Sequence, residues 1–513
     1  MTALFSLKNI LNKLKKEEIK LLINFINLNK KEEKSKKLKT IKFIELLLSN
    51  SAYSVTELQI LLYGKINYTA FNKLIRRLKD KIYEILLFDN SLQKSVSAKR
   101  NLTIFNVKKK LIQSEIMFAR GINDELEIFQ NKIIKTAKQY EIYDSLIEAL
   151  QAKQRYLGFR FGSIASKKIK EEIIFYEKSR TASHKAREIF NSLTSKINFS
   201  ATSEEYQKEL EDSIRILGSD YRKTKSSIIG YYYLFLRIEK DQNANNLLSA
   251  KINLLKLKKH LDNHRSVYTD NRMGTTLINI AINELMMFNF EFSIDMIHMA
   301  IKYFSTIAVN IQFAQEIEFH SLFYSGHLDK AELLINELYN ASRNSGTPFI
   351  FSKRAYLLAC VKTLKGEYKN SQDLLSEVRE IEKDKEGWNL GKRIISIINK
   401  IEVQDYDPVE LNVLNLQKHI KRTLKTKHVR KRDILILRIL LRLINDQFNF
   451  KNVYKSRKRY FDLLESNKPE YKWKIKSPEL IMFHEWFKCK ANNQPYNHTI
   501  ALSKENEKYL SCN

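Results

Sequence analysis

Residues 313–340 read FAQEIEFHSLFYSGHLDKAELLINELYN, and residues 353–381 read KRAYLLACVKTLKGEYKNSQDLLSEVREI. The same pattern occurs in both segments: a helix-forming run, a glycine, and a second helix-forming run. Gly326 and Gly366 are each followed by an apolar residue at +2 and a small residue at +5. The stretch therefore predicts two helical pairs of the same design.

The glycine and the small residue have separate steric roles in this pattern. Glycine adopts the left-handed backbone conformation that ends a helix, which a side chain would make costly. A small residue at +5, Ala331 or Ser371, lets the second helix lie close against the first. The second helices also carry apolar residues at the i, i+3, i+4 spacing of a buried face. These are Leu334, Ile335, Leu338 and Tyr339 in one helix and Leu374, Leu375, Val378 and Ile381 in the other.

Weaker copies of the pattern precede this stretch. One consists of Phe288, Phe290 and Ser293, with Phe in place of the glycine, and a fainter one consists of Gly121, Asn123 and Leu126. Over residues 105–400 the chain resembles the tetratricopeptide class of helical repeat, in which stacked helical pairs build a solenoid with a concave binding surface. The resemblance implies a protein or peptide partner in that concave face.

Two features depart from the tetratricopeptide pattern. The family repeats every 34 residues or so and places a Trp near the start of its first helix; here the spacing is 40 residues and that Trp is missing. An irregular all-helical domain with a few similar hairpins is therefore the alternative.

The composition predicts an all-α fold. The 513 residues include only 12 Gly and 5 Pro, and no proline precedes Pro348, which favours helices joined by short turns. We predict an N-terminal helix trio followed by an α-solenoid of helical pairs. The expected segments are an N-terminal helical domain at 1–100, the solenoid at 101–400, a basic helical segment at 401–491 and a disordered tail at 492–513.

The charge balance suggests a polyanionic partner. Lys and Arg total 89 against 58 Asp and Glu, a formal net charge of +31, which generates a positive field around the protein. RNA, DNA or a ribonucleoprotein would complement that field. A Lys-rich composition inherited from an AT-rich coding sequence is the other interpretation, although it gives no reason for the acidic residues to be so few.

Several classes of function lack their sequence signals. The chain has no glycine-rich phosphate loop and shows no complete set of metal ligands or catalytic groups, so we expect a non-enzymatic protein without cofactor or metal. Its three cysteines form no CxxC pair, which is typical of a reducing compartment. It has neither a secretory signal nor an apolar run long enough for a bilayer, so we expect a cytoplasmic protein without a membrane partner.

The N-terminal segment resembles a helix-turn-helix domain. Ser54 and Glu57 fit a capping box at the start of its middle helix, and the third helix has the place of a recognition helix. Its basic residues Lys73, Arg76, Arg77 and Lys79 would be free for phosphates or base edges. Transcription regulators that join a winged helix to tetratricopeptide repeats share this order of parts, but no strand pair for a wing follows here.

A second basic region begins after residue 401. Lys418, Lys421, Arg422 and Lys425 share one helical face, so their charges add at a single surface. Further candidates for phosphate contact are Arg430, Lys431, Arg432, Arg457, Lys458 and Arg459. A solvated face without a ligand is the alternative for these residues.

Together these observations predict a cytoplasmic, non-enzymatic scaffold or adaptor. It would bind a protein partner and, through its basic patches, a complex that contains nucleic acid. The alternative is a DNA-binding transcriptional regulator that has a helix-turn-helix domain and a repeat sensor domain.

Overall fold

The computed structural model describes all residues except 1, 29–32, 50–52, 87–98, 201–203, 305–306, 378–379, 382–383, 385–386, 427–428, 476 and 513. A few helical residues, Lys425 among them, have side chains outside that description. The described residues form 25 helices and no strand, so the predicted all-α class is confirmed. The chain divides into two units, Met1–Tyr176 and Glu177–Asn513.

The first unit contains eight complete helices within its described residues. They are α1 (Thr2–Leu11), α2 (Lys16–Leu28), α3 (Lys34–Leu48), α4 (Val55–Tyr63), α5 (Tyr68–Leu86), α6 (Lys99–Ala119), α7 (Asn123–Gln139) and α8 (Tyr143–Phe161). The predicted trio corresponds to α3, α4 and α5. Helices α1 and α2 extend it, because Leu7 and Leu22 belong to the same buried cluster as Phe43, Leu58 and Phe71.

Local interactions set the turn between α4 and α5. The predicted capping box is present: Glu57 N donates to Ser54 Oγ at 3.2 Å, and Ser54 N donates to a Glu57 carboxylate oxygen at 2.7 Å. Gly64 ends α4 with a φ of +72°. The buried side chain of Gln59 then accepts a hydrogen bond from Asn67 N at 2.8 Å, immediately before α5 begins.

Helix α9 (Ser163–Ser200) contains the division between the units. The second unit continues with α10 (Glu204–Thr224), α11 (Ser227–Asn243), α12 (Leu247–Asn263), α13 (Asp270–Met286), α14 (Phe290–Tyr303), α15 (Ala308–Tyr324), α16 (Leu328–Ser345), α17 (Pro348–Leu364), α18 (Tyr368–Glu377), α19 (Trp388–Glu402), α20 (Asp407–Thr426), α21 (Lys431–Asn445), α22 (Phe450–Ser456), α23 (Lys458–Leu464), α24 (Phe483–Ala491) and α25 (His498–Cys512).

One turn geometry recurs inside the helical pairs of the second unit. A residue with positive φ ends the first helix of each pair, and the next amide donates to the carbonyl five residues earlier, as in a Schellman motif. His327 N to Leu322 O (3.0 Å) is one example. The positive-φ residues are Asn245, Phe288, Gly326, Gly366 and Gln404, and the residues at +5 from them are Ala250, Ser293, Ala331, Ser371 and Val409, which are at most 1% exposed. The predicted glycine and small-residue pattern is thus confirmed and extended.

Buried serines show that the pairs stack. Ser293 Oγ in α14 donates to the Ala281 carbonyl of its own pair at 2.8 Å and accepts from Ser321 Oγ of the following pair at 3.0 Å. Ser371 in α18 repeats this arrangement, donating to Ala359 O and accepting from Asn399 Nδ2, both at 2.8 Å. Each of these second helices therefore packs between its own first helix and the first helix of the next pair. These contacts confirm the predicted array of helical pairs.

The C-terminal residues differ from the prediction. The tail expected to be disordered contains helix α25, in which Leu502 is 3% and Tyr509 is 8% exposed. Tyr509 packs against Phe288, and His498 against Phe323, with ring centroids 6.0 and 4.8 Å apart. The helix forms because it can bury these side chains against the turns of earlier pairs. The prediction of disorder was wrong for residues 498–512.

The first helices of several pairs are covered by the chain itself. Tyr356 in α17 donates a hydrogen bond to the Pro478 carbonyl, and the ring of Trp473 lies 5.8 Å from that of Tyr324 in α15. Parts of these first helices are therefore covered by Trp473, by Pro478 and by helix α25. Because one buried cluster runs from Ala186 to Leu502, neither 400/401 nor 491/492 is a boundary in packing.

Candidate functional site

Helix α20 presents the candidate site because its two sides differ in character. Its core side consists of Val409, Val413, Leu416 and Ile420, which are at most 3% exposed. These positions repeat at the spacing of a buried helical stripe. Asp407 and Glu410 lie in its first turn, where carboxylates complement the helix dipole. The remaining surface of the helix points away from the core.

The predicted cations of α20 lie on that outer surface. Lys418, Lys421 and Arg422 are exposed, and none of the three has an ion-pair partner within the part of the chain that the structure describes. We call these three residues the α20 basic face. The side chain of Lys425, the fourth predicted member, lies outside the described residues.

Helix α19 adds two cations that the sequence did not single out. Burial lowers the pKa of Arg393, and the nearby positive charge of Arg422 lowers it further. Burial also lowers the pKa of Lys392. The pKa of His419 is lowered by burial and by the positive charges of Arg393 and Arg422. Burial is thus the main cause of these three shifts, and the positive charges of Arg393 and Arg422 add to it at His419.

The next three predicted cations are largely occupied by structural contacts. Arg430 binds Asp433 through two hydrogen bonds of 2.7 and 2.8 Å, and Lys431 Nζ lies 2.5 Å from a carboxylate oxygen of Glu470. Arg432 is 2% exposed. Its guanidinium donates to both carboxylate oxygens of Glu479, at 2.6 and 2.8 Å.

Arg432 also donates to the carbonyls of Leu464 and Tyr471, at 2.8 and 2.7 Å. A buried guanidinium that is fully used inside the protein cannot reach a phosphate. The prediction that Arg432 contacts nucleic acid was therefore wrong. The sequence placed it in a basic run, but the partner that buries it lies 47 residues away in the chain.

The last predicted cluster is only partly accessible. Lys458 and Arg459 are exposed, whereas Arg457 is half-buried with its guanidinium 5.5 Å from the ring centroid of Tyr460. A contact of that kind over an aromatic face leaves the cation partly engaged. Lys458 and Arg459 remain available to a ligand.

In the first unit, α5 displays the predicted candidate recognition surface. Lys73, Arg76 and Arg77 are exposed, on the side opposite the buried Leu74, Ile75 and Leu78. Lys79 is half-buried, and its Nζ donates to Ser6 Oγ at 3.1 Å. The structure thus places three of the four predicted cations where a ligand can reach them.

Among the described residues, no helix is both long and apolar enough to cross a membrane. No group of three or more His, Cys, Asp or Glu side chains among them could hold a metal ion.

Comparison with known proteins gives little further information. No protein-family model matches this sequence, and no curated protein matches it. Among solved structures, the crystal structure of the apo form of RapI is similar to this chain at 14% sequence identity with a TM-score of 0.42. The match covers 78% of this chain and 98% of RapI.

Proposed function

We propose that this protein is a non-enzymatic helical-repeat scaffold that binds nucleic acid through the α20 basic face. The observation that supports the proposal is the set of three exposed cations, Lys418, Lys421 and Arg422, which lack carboxylate partners among the described residues. The same unit neutralises other cations with nearby acids, such as Lys353 with Glu316 at 2.9 Å. At α20, three positive charges add at one face of a helix, which favours an external anion there.

The α20 basic face does not require a ligand in order to fold. Like charges one helical turn apart destabilise a helix by only about 0.2–0.5 kcal/mol for each pair. The face is therefore stable when empty and available when a polyanion arrives. The formal net charge of +31 would speed the encounter, since a field of one sign steers an oppositely charged partner.

Fluorescence anisotropy tests this proposal with three labelled probes of one sequence: duplex DNA, single-stranded DNA and single-stranded RNA. We expect binding to at least one probe, with an affinity that falls as salt rises because phosphate contacts release counterions. Failure of all three probes to bind at low salt would overturn the proposal.

A protein partner and a cytoplasmic setting belong to the same proposal. Stacked helical pairs present extended surfaces that suit protein recognition. The thiol of Cys360 is buried and free, and Cys489 is also free, as expected in a reducing compartment. An affinity pull-down from native lysate, with and without nuclease, separates the partner classes. Proteins retained after nuclease treatment would be direct partners, and an empty eluate in both arms would contradict a scaffold.

A DNA-binding regulator is the second candidate because of one observation in the first unit. The turn from Gly64 to Asn67 places α5 with Lys73, Arg76 and Arg77 exposed, as a recognition helix requires. Selection from a random DNA pool tests this reading. An enriched sequence that disappears in the Arg76→Ala, Arg77→Ala variant would support the regulator. A pool without enrichment would count against it.

A further inference from the structure

The part of α9 that belongs to the first unit packs back along α8 as a hairpin. At the open end of the hairpin, the ring centroids of Tyr143 and Tyr176 lie 6.2 Å apart. At the other end the chain reverses at Gly162, where φ is +81°. The helices approach closely there, because a Cβ added at Gly158 would lie 3.9 Å from Ser166 Cβ. The turn is therefore the end of a packed pair of helices.

The hairpin tip, from Phe159 to Ile164, exposes three large apolar side chains. Phe159 is 92% exposed, Phe161 58% and Ile164 88%. Phe159 and Ile164 have the two highest exposures of all large apolar side chains that the structure describes. Single exposed apolar residues are common on protein surfaces, but several at one protruding turn mark an interaction site.

Three lysines lie directly behind the hairpin tip. Lys167, Lys168 and Lys170 are exposed, and none has an ion-pair partner within the described part of the chain. They follow Ile164 by three to six residues, which is about 5–9 Å along a helix axis. Residues 149–170 contain no Asp or Glu. The tip is thus apolar at its end and positively charged just behind it.

Arg160 adds a fourth positive charge at the tip itself. Its guanidinium donates a hydrogen bond to the Tyr156 hydroxyl and lies 5.2 Å from the ring centroid of Phe161. Both contacts are with aromatic groups that carry no negative charge, and no described carboxylate pairs with Arg160. Its charge is therefore added to those of the lysines.

We propose that the hairpin tip inserts into the surface of a lipid bilayer that contains anionic lipids. The apolar side chains of surface-bound segments lie about 5–10 Å into the boundary between headgroups and acyl chains. That depth matches the axial distance between Ile164 and the lysines, so the ammonium groups would lie at the level of the anionic headgroups. Such a contact needs no spanning helix, and the expectation of no membrane partner was based on the lack of a spanning segment.

A bilayer fits the hairpin tip better than nucleic acid does. Single-stranded nucleic acid stacks its bases on aromatic rings, and Ile164 has no such ring to offer. Acyl chains accept aliphatic and aromatic side chains alike. The inference does not rest on the α20 basic face, which belongs to the second unit, and either one can fail without the other.

Co-sedimentation of the full chain with phosphatidylcholine vesicles, prepared with and without phosphatidylserine, is the first test. We expect binding to the vesicles with phosphatidylserine, weakened about tenfold or more by Phe159→Ser, Ile164→Ser because the apolar burial is lost. The matched control Leu248→Ser, Ile252→Ser removes two exposed apolar side chains from α12 and should change binding less than about twofold. The control is needed because the net charge of +31 attracts the whole chain to anionic vesicles.

Quenching of tryptophan fluorescence by lipids with brominated acyl chains reports insertion directly. The three native Trp side chains are at most 3% exposed, so these lipids should quench them little. Phe159→Trp places an indole at the hairpin tip and should be quenched, whereas Leu248→Trp should not be.

Circular dichroism checks that the Phe159→Ser, Ile164→Ser variant keeps its helix content. Equal sedimentation of the wild type, this variant and the α12 control would overturn the proposal, as would a Phe159→Trp variant that is not quenched. Loss of single-stranded RNA binding by the tip variant, with vesicle binding unchanged, would also overturn it and assign the tip to nucleic acid.

Discussion

The Arg432 guanidinium and the Glu479 carboxylate form a buried bidentate pair, with Nε–Oε2 and Nη2–Oε1 distances of 2.6 and 2.8 Å. The two side chains are 2% and 3% exposed. Trp473 Nε1 donates to the Glu479 backbone carbonyl at 2.8 Å. The pair thus connects α21 to the segment that leads into the last two helices.

Removal of one member of this pair should be strongly destabilising. Arg432→Ala leaves the Glu479 carboxylate buried without its cation, a loss of about 3–5 kcal/mol. Arg438→Ala, at an exposed position of the same helix, is the matched control and should cost about 0.5 kcal/mol or less. Urea unfolding measures both variants.

The double variant Arg432→Met, Glu479→Leu separates the lost charge pair from lost packing. It should be more stable than Arg432→Ala, because no uncompensated charge stays in the core. Equal stability of the Arg432 and Arg438 variants would show that the pair carries no such role.

The free energy of unfolding should fall as the pH drops below the ordinary pKa of histidine, about 6.5. Burial lowers the pKa of His498 to about 3, whereas the unfolded value is about 6.5. Below pH 6.5 the unfolded chain binds a proton that the folded chain does not, so the free energy of unfolding declines down to about pH 3. The slope is about 1.4 kcal/mol per pH unit for each such histidine.

Urea midpoints at pH values between 6.5 and 5 isolate this contribution, since most carboxylates titrate lower. Burial also lowers the pKa of His484, aided by the charge of Arg432, whose Nη2 lies 2.9 Å from His484 Nδ1. His498→Gln should flatten the pH dependence by the share of one histidine. A variant with the wild-type slope would contradict the assignment.

The two repeat glycines should differ in their response to alanine. Gly366 has a φ of +77° with no atom within 4 Å of an added Cβ, so Gly366→Ala should cost only the left-handed strain, about 1–2 kcal/mol. At Gly326 the added Cβ would lie 2.9 Å from Thr499 Oγ1 of α25. Gly326→Ala should therefore cost more.

The Thr499→Ala substitution identifies the source of the difference. In that background Gly326→Ala should become equivalent to Gly366→Ala, with both measured by urea unfolding. If Thr499→Ala leaves the difference unchanged, α25 does not pack on this turn as described.

The sequence predicted the helical pairs most clearly where glycine marks the turn, and at Phe288 only a weaker copy of the pattern was visible. Gly326 and Gly366 were found because glycine adopts positive φ without strain. Asn245 and Gln404 form the same turn but give no such compositional signal, and only the buried small or apolar residue at +5 reveals them. The helical pairs then stack because the same steric fit between helices repeats along the chain.

The candidate site was only partly predictable, for a different reason. The exposure of Lys418, Lys421 and Arg422 could be predicted from helical spacing alone, since the residues on the opposite side of the same helix are apolar. The burial of Arg432 and the placing of Arg393 beside Arg422 depend on contacts between separate helices. Spacing within one helix carries no information about them.

Contacts between the α20 basic face and nucleic-acid phosphates should appear in the salt dependence of binding. The test variant is Lys418→Gln, Lys421→Gln, Arg422→Gln. The control, Lys256→Gln, Lys259→Gln, Lys330→Gln, removes the same charge from exposed positions on α12 and α16. Surface substitutions of this kind should leave folding almost unchanged.

Each phosphate contact contributes roughly 0.7–0.9 to the slope of log affinity against log salt concentration. We expect the test variant to flatten that slope by about two to three units with no change in sequence preference, because phosphates carry no base identity. The control should keep the wild-type slope. A test variant whose slope equals that of the wild type or of the control would contradict phosphate contact by the α20 basic face.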